Sequence, residues 1–241
     1  MSHSNSIQPT IESLRKLSMV ELRQLSTDLG LPMKSSRLEF VDMIHSQYLK
    51  LKMYIHFTYI RQLGVRGKDG RVFLARDDKG QHVAVKCFDS TKSTNEIRTE
   101  VELQMVASAA GIAPQIIEFD ADARYVAMEP MKTTLYDLFC AQDGQLTSSQ
   151  QQQVIDLCDR LDDAGVFHND PNPLNFMFSQ DDIMYVIDYG MAKPINASTR
   201  RRYGRHPNRT YLPIGLGLKL REIHPAFDGS DLMSGIHKKK T

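Results

Sequence analysis

Apolar side chains in the first fifty residues recur at the spacing of α-helices. One helical face ends at Gly30 and Pro32, two residue types that commonly close a helix. Its apolar members are Val20, Leu22, Leu25 and Leu29. A second face begins after about Arg37 and comprises Phe40, Val41, Ile44 and Tyr48. The pattern therefore predicts two helices within residues 11–54, joined by a short extended turn.

From residue 54 to residue 88 the pattern changes to short runs, which predicts strands with turns at residues 64–70 and 77–80. Helical spacing returns over residues 93–110. The next predicted elements are strands at 115–119 and 124–128, helices at 134–141 and 148–164, and a hairpin that pairs 175–178 with 183–187. Beyond residue 190, a helical period is visible only near residues 214–223. An all-helical segment is thus followed by a longer mixed one.

Composition is that of an ordinary globular protein, with 30 Lys and Arg residues against 29 Asp and Glu residues. This balance gives no bulk charge that would indicate nucleic-acid or membrane binding. The three cysteines, Cys87, Cys140 and Cys158, are odd in number and widely spaced, so they form neither a disulfide framework nor a metal-ligand pattern. Because no apolar run is long enough to cross a bilayer and no signal peptide is visible, we expect an intracellular protein, cytoplasmic or nuclear, that is not secreted.

The segment from residue 167 to residue 190 carries the candidate chemistry. Asp170 and Asp188 flank the predicted hairpin, and Asn175 lies between them. Because a hairpin brings its ends together, Asn175 and Asp188 should face a common point. An amide oxygen and a carboxylate are suitable ligands for Mg²⁺, which keeps much of its shell as water and phosphate. Asp170 is separately placed to accept a proton from an attacking hydroxyl.

The order of these residues resembles the catalytic loop and metal-binding turn of protein kinases: His168-Asn169-Asp170, then Asn175, then Asp188-Tyr189-Gly190. The resemblance implies an α+β, two-lobed kinase-like fold with a truncated C-lobe. It places the N-lobe at residues 54–130 and the C-lobe at residues 131–241. A flexible segment, residues 1–10, and a small helical module, residues 11–52, would precede that domain.

Upstream residues extend the same resemblance. Lys86 ends a VAVK run that looks like the phosphate-binding strand, and Glu100 matches its partner better than Glu96 or Glu102. The family then implies ATP as the phosphate donor and Mg²⁺ (or Mn²⁺) as the metal. The implied nucleotide-binding residues are Gly67, Gly70, Val72, Ala84, Lys86, Glu100, Glu129, Met131 and Met177. Asn175 and Asp188 would hold the metal, and Asp170, Lys86 and Asn175 would be catalytic.

Several departures from the family narrow the expected type. Asn169 stands where many regulated kinases carry arginine, Val65 stands where the first glycine of the nucleotide loop would fall, and no APE-like element follows. With about fifty residues after Asp188, the chain is similar to the minimal kinases of the RIO family and the KEOPS complex. We expect a Ser/Thr kinase acting on a protein substrate. A small-molecule kinase of the choline or aminoglycoside type, and a kinase-fold ATPase or scaffold within a complex, remain alternatives.

Two further segments are candidates for contacts with partners. Residues 17–48 resemble a SAP-type helix–extension–helix motif, in which Lys34 and Arg37 would contact DNA or a nucleoprotein; a two-helix appendage that packs on protein is the alternative. A basic segment follows Asp188 and comprises Arg200, Arg201, Arg202, Arg205 and Arg209. It is interpreted either as a solvated loop or as a surface for an acidic peptide, phosphate or nucleic acid.

Overall fold

The structure is a computed structural model that describes residues 11–64 and 67–234. The predicted flexible segment 1–10, Val65 and the side chain of Tyr48 lie outside the described residues. The chain divides into two compact units. One is built from the chain up to Tyr59 together with Arg76–Gln81, and the other from Ile60–Ala75 together with the chain from His82 onward.

From residue 11 onward, the first unit contains three helices: α1 (Ile11–Lys16), α2 (Met19–Asp28) and α3 (Arg37–His56). Ser18 begins α2 with a reciprocal capping box, in which its hydroxyl accepts from the Glu21 amide and the Glu21 carboxylate accepts from the Ser18 amide. The buried core of this unit is Leu14, Leu22, Phe40, Val41 and Ile44.

Val20 was predicted to share the inward face of α2, and that prediction is wrong because its side chain is 74% exposed. Leu22 is fully buried and Leu25 and Leu29 pack against the core. A helix turns about 100° per residue, so Val20 lies about 200° around the helix from Leu22.

The second unit begins with a five-stranded sheet in the order β1-β2-β3-β5-β4. Its strands are β1 (Thr58–Leu63), β2 (Gly70–Arg76), β3 (His82–Phe88), β4 (Ile116–Asp120) and β5 (Tyr125–Met128). β5 pairs antiparallel with both β3 and β4. Helix α4 (Thr94–Ala109) begins at a second capping box, Ser93 with Glu96, and buries Ile97 and Val101 against the apolar side chains of the sheet.

The remainder of this unit is mainly helical and packs around α6. Its helices are α5 (Leu135–Ala141), α6 (Ser148–Asp163), α7 (Ala197–Tyr203), α8 (Pro207–Ile223) and α9 (Ser230–Ser234). Its short strands are β6 (Thr133–Thr134), β7 (Val166–Phe167), β8 (Phe176–Phe178), β9 (Met184–Val186) and β10 (Lys193–Pro194). They form the sheets β6-β8-β9 and β10-β7. Single 3₁₀ turns lie on either side of the β8–β9 hairpin, at Pro173–Asn175 before β8 and at Tyr189–Met191 after β9.

The mixed α/β fold predicted from the sequence is confirmed, and so is the hairpin, which is formed by β8 and β9. Three segments differ from the prediction. The segment predicted to hold two helices holds three, because the Ser18 cap begins α2 after the short α1. α8 begins at Pro207 rather than near residue 214, and the basic segment 200–202 is the last turn of a helix rather than a loop. Pro213, Gly215 and Gly217 within α8 interrupt its apolar period, so the sequence pattern hides the helix. Over residues 11–64 and 67–234, no helix has the length and apolarity that crossing a bilayer requires.

Candidate active site

Lys86 joins two carboxylates. Its Nζ lies 2.6 Å from Glu100 Oε1 and 2.8 Å from Asp188 Oδ1. Glu100 extends from α4 and is 3% exposed, whereas Glu102 is exposed and Glu96 is occupied in the cap of the helix. The structure therefore pairs Lys86 with Glu100, the glutamate that the sequence analysis preferred.

A second lysine, Lys92, approaches Glu100 from the opposite side. Its Nζ lies 2.5 Å from Glu100 Oε2 and 2.7 Å from Asp69 Oδ2, and its side chain is buried. Both ammonium groups lie over the ring of Phe88, at 5.2 and 5.5 Å from its centroid. Asp69, Lys92, Glu100, Lys86 and Asp188 thus form a continuous series of ion pairs, which we term the charge chain. Nothing in the sequence pattern singles out Lys92, which resembles any polar residue in a loop before a helix.

Each lysine of the charge chain is held charged by its partners. Burial alone would lower the pKa of Lys86, but the carboxylates of Asp188 and Glu100 outweigh it and raise that pKa. Burial opposes charge on Lys92 in the same way, and hydrogen bonds to Asp69 and Glu100 raise its pKa. For Asp188, burial favours the neutral acid, but the nearby ammonium of Lys86 lowers the pKa below its usual value. All three groups are therefore ionised at neutral pH.

The catalytic-loop candidates lie together near Asp188, the last member of the charge chain. Asn175 Nδ2 donates to Asp170 Oδ2 at 2.8 Å, and the Ile187 amide donates to the Asn175 carbonyl at 2.8 Å. That second bond holds Asn175 next to the end of β9, two residues before Asp188. Asp188 itself adopts a left-handed backbone conformation, with φ of 63°. The two aspartates and Asn175 are thus brought to one region, as the hairpin predicted.

His168 is a structural residue of this loop. It is fully buried, its backbone amide donates to Asn208 Oδ1 at 2.9 Å, and its Nε2 lies 2.9 Å from the Ile187 carbonyl. Because a carbonyl only accepts, Nε2 carries the proton. Burial lowers the pKa of His168, so the ring is neutral, and it packs edge-on against Tyr189 at 5.0 Å.

Asn208, at the start of α8, holds this loop through a buried amide. Its Nδ2 donates to Asp162 Oδ1 at 2.8 Å and to the Val166 carbonyl at 2.7 Å, while its Oδ1 accepts from His168. Asp162 also accepts from the backbone amides of Asn208 and Arg209, at 2.9 and 3.0 Å. We term this group the Asn208 anchor. Sequence reasoning missed it because Asn208 lies 40 residues from His168 in a stretch without periodic pattern.

Residues 67–70 of the predicted glycine-rich loop form a tight turn. The Gly67 amide donates to the Gly70 carbonyl at 3.0 Å. A Cβ on Gly70 would lie 2.1 Å from the Cys87 carbonyl oxygen, so the approach of β2 to β3 requires glycine there. At Gly67 a Cβ would meet only an ordinary contact at 3.6 Å.

Five other predicted nucleotide-binding residues lie on four segments, β2, β3, β8 and the stretch after β5. Ala84 is buried in an apolar cluster against which Val72 packs, and Met177 lies on β8 opposite Tyr185. Glu129 and Met131, both half-buried, follow β5. A surface groove of about 340 Å³ nearby includes Glu129 and Tyr185, but it does not contain the residues of the charge chain or Asp170.

The residues predicted to contact partners differ in their exposure and in their hydrogen bonds. Lys34, Arg200, Arg201, Arg202 and Arg205 are exposed. The guanidinium of Arg37 instead donates to the carbonyls of Arg15 and Leu17, so it joins α1 to α3. Arg209, counted in the basic segment, donates to Asp159 Oδ2 at 3.0 Å and is a structural contact.

The donor set fits a hard divalent cation. The described residues contain no group of three His, Cys, Asp or Glu side chains that would cage a metal. Asn175 and Asp188 nevertheless each use one side-chain atom, toward Asp170 and Lys86, and retain one oxygen for a ligand. Two oxygens from the protein suit Mg²⁺, whose remaining ligands are commonly water and phosphate.

Comparison with known proteins agrees with this geometry. The family model described as Protein kinase domain matches residues 57–212, more than half of the chain. The chain is similar to calcium/calmodulin-dependent serine/threonine-protein kinase 1 of Oryza sativa subsp. japonica, with 30% identity over 51% of this chain and 23% of that protein. It is 28% identical to CBL-interacting protein kinase 28 of the same organism, over 60% of this chain and 35% of that protein.

A third relative, from Dictyostelium discoideum and named as a probable serine/threonine-protein kinase, is 24% identical over 80% of this chain. The match covers 15% of that protein, so the chain spans about a third or less of the length of these three relatives.

Proposed function

Because this chain belongs to the protein kinase family, we propose that it transfers the γ-phosphate of ATP to a serine or threonine hydroxyl of a protein substrate. The observation that carries the proposal is the pairing of Lys86 with both Glu100 and Asp188, beside Asp170 and Asn175. A lysine fixed between two carboxylates next to a candidate base fits the electrostatic needs of phosphoryl transfer.

Each side chain has a distinct part in the proposed reaction. Lys86 has three N–H donors and uses two of them on carboxylates, so one remains for phosphate oxygens. Asp170 orients the acceptor hydroxyl and takes its proton as the hydroxyl oxygen bonds to the γ-phosphorus. The bond from that phosphorus to the bridging oxygen breaks, and ADP leaves. Asn175 and Asp188 would hold Mg²⁺ or Mn²⁺, which when bound offsets negative charge on the phosphates.

We also propose a minimal kinase, similar to the RIO family and the KEOPS kinase, without control by a phosphorylated loop. Asn169 precedes the candidate base and its Nδ2 lies 3.4 Å from the Met191 carbonyl. An asparagine cannot form the charged, bidentate contact through which an arginine binds a phosphorylated residue. The site is proposed to act inside the cell, in the cytoplasm or nucleus.

For the helices within residues 11–52 we propose docking to a partner, with DNA contact through the exposed Lys34 in the manner of a SAP motif. Because Arg37 is committed to backbone carbonyls, Lys34 carries this proposal. In titrations of a labelled DNA duplex with the full chain, Lys34→Glu should weaken binding, and more so at low salt. Unchanged binding in that variant would contradict DNA contact at this residue.

The activity is tested with γ-labelled ATP, Mg²⁺, protein acceptors and a panel of small alcohols. We expect label on protein from the wild-type chain and about a thousandfold less from Asp188→Asn, since the metal ligand and the Lys86 partner are lost together. Asp182→Asn is the matched control, because Asp182 also has a left-handed backbone and pairs with a lysine, Lys132, away from the site. Label only on a small alcohol would refute a protein substrate, and free phosphate alone would indicate an ATPase.

A further inference from the structure

The catalytic loop contains no cation of its own. From Asn169 to Asn175 it reads NDPNPLN, with one acidic residue and no lysine or arginine. A lysine from a distant element instead reaches this loop. Lys219, on α8, has its Nζ 3.7 Å from Asp170 Oδ1.

The two oxygens of Asp170 have different surroundings. Oδ2 accepts from Asn175 Nδ2 at 2.8 Å, whereas Oδ1 faces Lys219 at a distance beyond that of a charge-assisted hydrogen bond. Oδ1 is therefore the oxygen open to an acceptor hydroxyl, and the ammonium lies beside it. The lysine side chain is 41% exposed and that of Asp170 is 24% exposed, so a small rotation of Lys219 meets little resistance.

The backbone of α8 is fitted to bring Lys219 to this position. Asn208, Gly215 and Lys219 are seven and four residues apart, a spacing that places them on one face of the helix. Asn208 bonds to His168, and a Cβ on Gly215 would lie 2.5 Å from the Pro171 side chain, so glycine allows the helix to rest on the residue after Asp170. One face of α8 thus contacts His168, Pro171 and Asp170 in succession.

We propose that Lys219 is a further catalytic residue, whose ammonium contacts the phosphoryl group during transfer. This inference rests on the proposed kinase function. As the acceptor oxygen bonds to phosphorus and its proton passes to Asp170, the equatorial phosphate oxygens come next to Lys219. The ammonium keeps its protons and offsets charge that the catalytic loop has no cation to balance.

The test compares the affinity of the full chain for ADP with its affinity for ADP plus aluminium fluoride, a mimic of the phosphoryl group in transfer, both with Mg²⁺. In Lys219→Met we expect the affinity for the mimic to fall about tenfold or more, while the affinity for ADP stays within about twofold. Lys219→Arg, which keeps the charge, should restore most of the difference. In Lys219→Met the rate constant kcat should fall in parallel with the affinity for the mimic, whereas KM for ATP should stay unchanged.

Lys132→Met is the matched control, because Lys132 is 45% exposed and paired with Asp182. It should leave both affinities unchanged. If wild type and Lys219→Met both prefer the mimic over ADP by the same factor, the inference about Lys219 is overturned and the proposed function is not. A wild-type chain that binds the mimic no better than ADP, and labels no acceptor, would overturn the proposed function as well. Equal loss of both affinities in Lys219→Met would show a structural role and also contradict the inference.

Discussion

The candidate site has two borders, and different kinds of interaction stabilise them. The charge chain fixes one border through ion pairs between long, adjustable side chains. The Asn208 anchor fixes the other through directional hydrogen bonds from one amide that is fully buried. Ion pairs have weak directional demands, whereas a buried amide loses its bonds if any partner moves.

This difference matches what each border would have to do in the proposed transfer of phosphate from ATP. Nucleotide phosphates are anions that can take a place among the charges around Lys86, so that border has to accept exchange of partners. The catalytic loop has to hold Asp170 in place before the substrate arrives, because a displacement of about 1 Å near a reacting group can lower a rate a hundredfold. We therefore expect changes at the anchor to affect folding and changes in the charge chain to affect ligand binding.

The largest expected effect tests the anchor. Asn208→Leu has similar volume but leaves the Val166 carbonyl and the His168 amide without their partner and removes one of the donors to the buried Asp162 carboxylate, so the free energy of unfolding should fall by about 3 kcal/mol. Urea unfolding followed by circular dichroism would measure it. Asn196, which caps the exposed start of α7, is the control, and Asn196→Leu should cost about 1 kcal/mol. Equal losses in the two variants would remove the distinction between the two borders.

Removing one member of the charge chain should lower the free energy of unfolding less than Asn208→Leu does, and should weaken ATP binding more clearly. In Lys92→Met, Glu100 keeps Lys86 as its partner, so the free energy of unfolding should fall by only about 1–2 kcal/mol. Asp69 loses its tie to α4, and KM for ATP should rise about fivefold to tenfold. Steady-state kinetics beside Lys92→Arg would measure this. A loss of stability as large as that of Asn208→Leu, with KM unchanged, would be the contrary result.

The two borders should respond to acid with opposite signs. The pKa of Asp188 is lowered in the folded chain, so its contribution to stability is present above its unfolded pKa, about 3.9, and is lost as pH falls through the folded value. Burial raises the pKa of Asp162, and its hydrogen bonds with Asn208 and Arg209 offset only part of this. The stability contributed by Asp162 therefore falls as pH rises from about 3.9 through its folded value.

Urea unfolding of the wild type, Asp188→Asn and Asp162→Asn between pH 3 and pH 6 measures these contributions as differences. The advantage of the wild type over Asp188→Asn should shrink by about 1 kcal/mol or less as pH falls, because half of the Asp188 side chain is exposed. The advantage over Asp162→Asn should grow over the same range. Slopes of the same sign would show that the two carboxylates are held alike.

The smallest expected effect comes from Tyr189, which lies between the two borders, next to Asp188 and against His168. Its hydroxyl is buried and has no hydrogen-bond partner among the described residues. Tyr189→Phe should therefore raise the free energy of unfolding by up to about 1 kcal/mol, and transfer should be unchanged. Tyr185→Phe, at a half-buried neighbour on β9, is the comparison and should change little. A loss of stability in Tyr189→Phe would show that the hydroxyl has a partner.

The sequence was sufficient to predict structure wherever the informative residues are close in the chain or follow a regular period. The hairpin, the helix over residues 93–110 and the spacing of Asp170, Asn175 and Asp188 are of this kind, and the fold followed from them. The roles assigned to those residues remain predictions.

Contacts between residues far apart in the chain could not be predicted, because no local sequence pattern indicates them. Lys219 approaches an aspartate 49 positions earlier, and Asn208 bonds to a histidine 40 positions earlier. The exposure of Val20 and the internal contact of Arg209 were misjudged because residue type alone does not fix which way a side chain faces. Only the packing of complete helices decides these cases.

The Asn208 anchor also has a consequence for biosynthesis. The loop from His168 to Asn175 leaves the ribosome well before α8. Until Asn208 also emerges, the His168 amide and the Asp162 carboxylate lack the partner that Asn208 provides. Contacts between distant segments close late in folding. A nascent chain that already displays the whole stretch from Lys86 to Gly190 should therefore remain inactive until α8 has docked. Pulse-labelled, stalled chains ending at residue 200 or at residue 234 would show whether competence to bind the phosphoryl mimic appears only in the longer one.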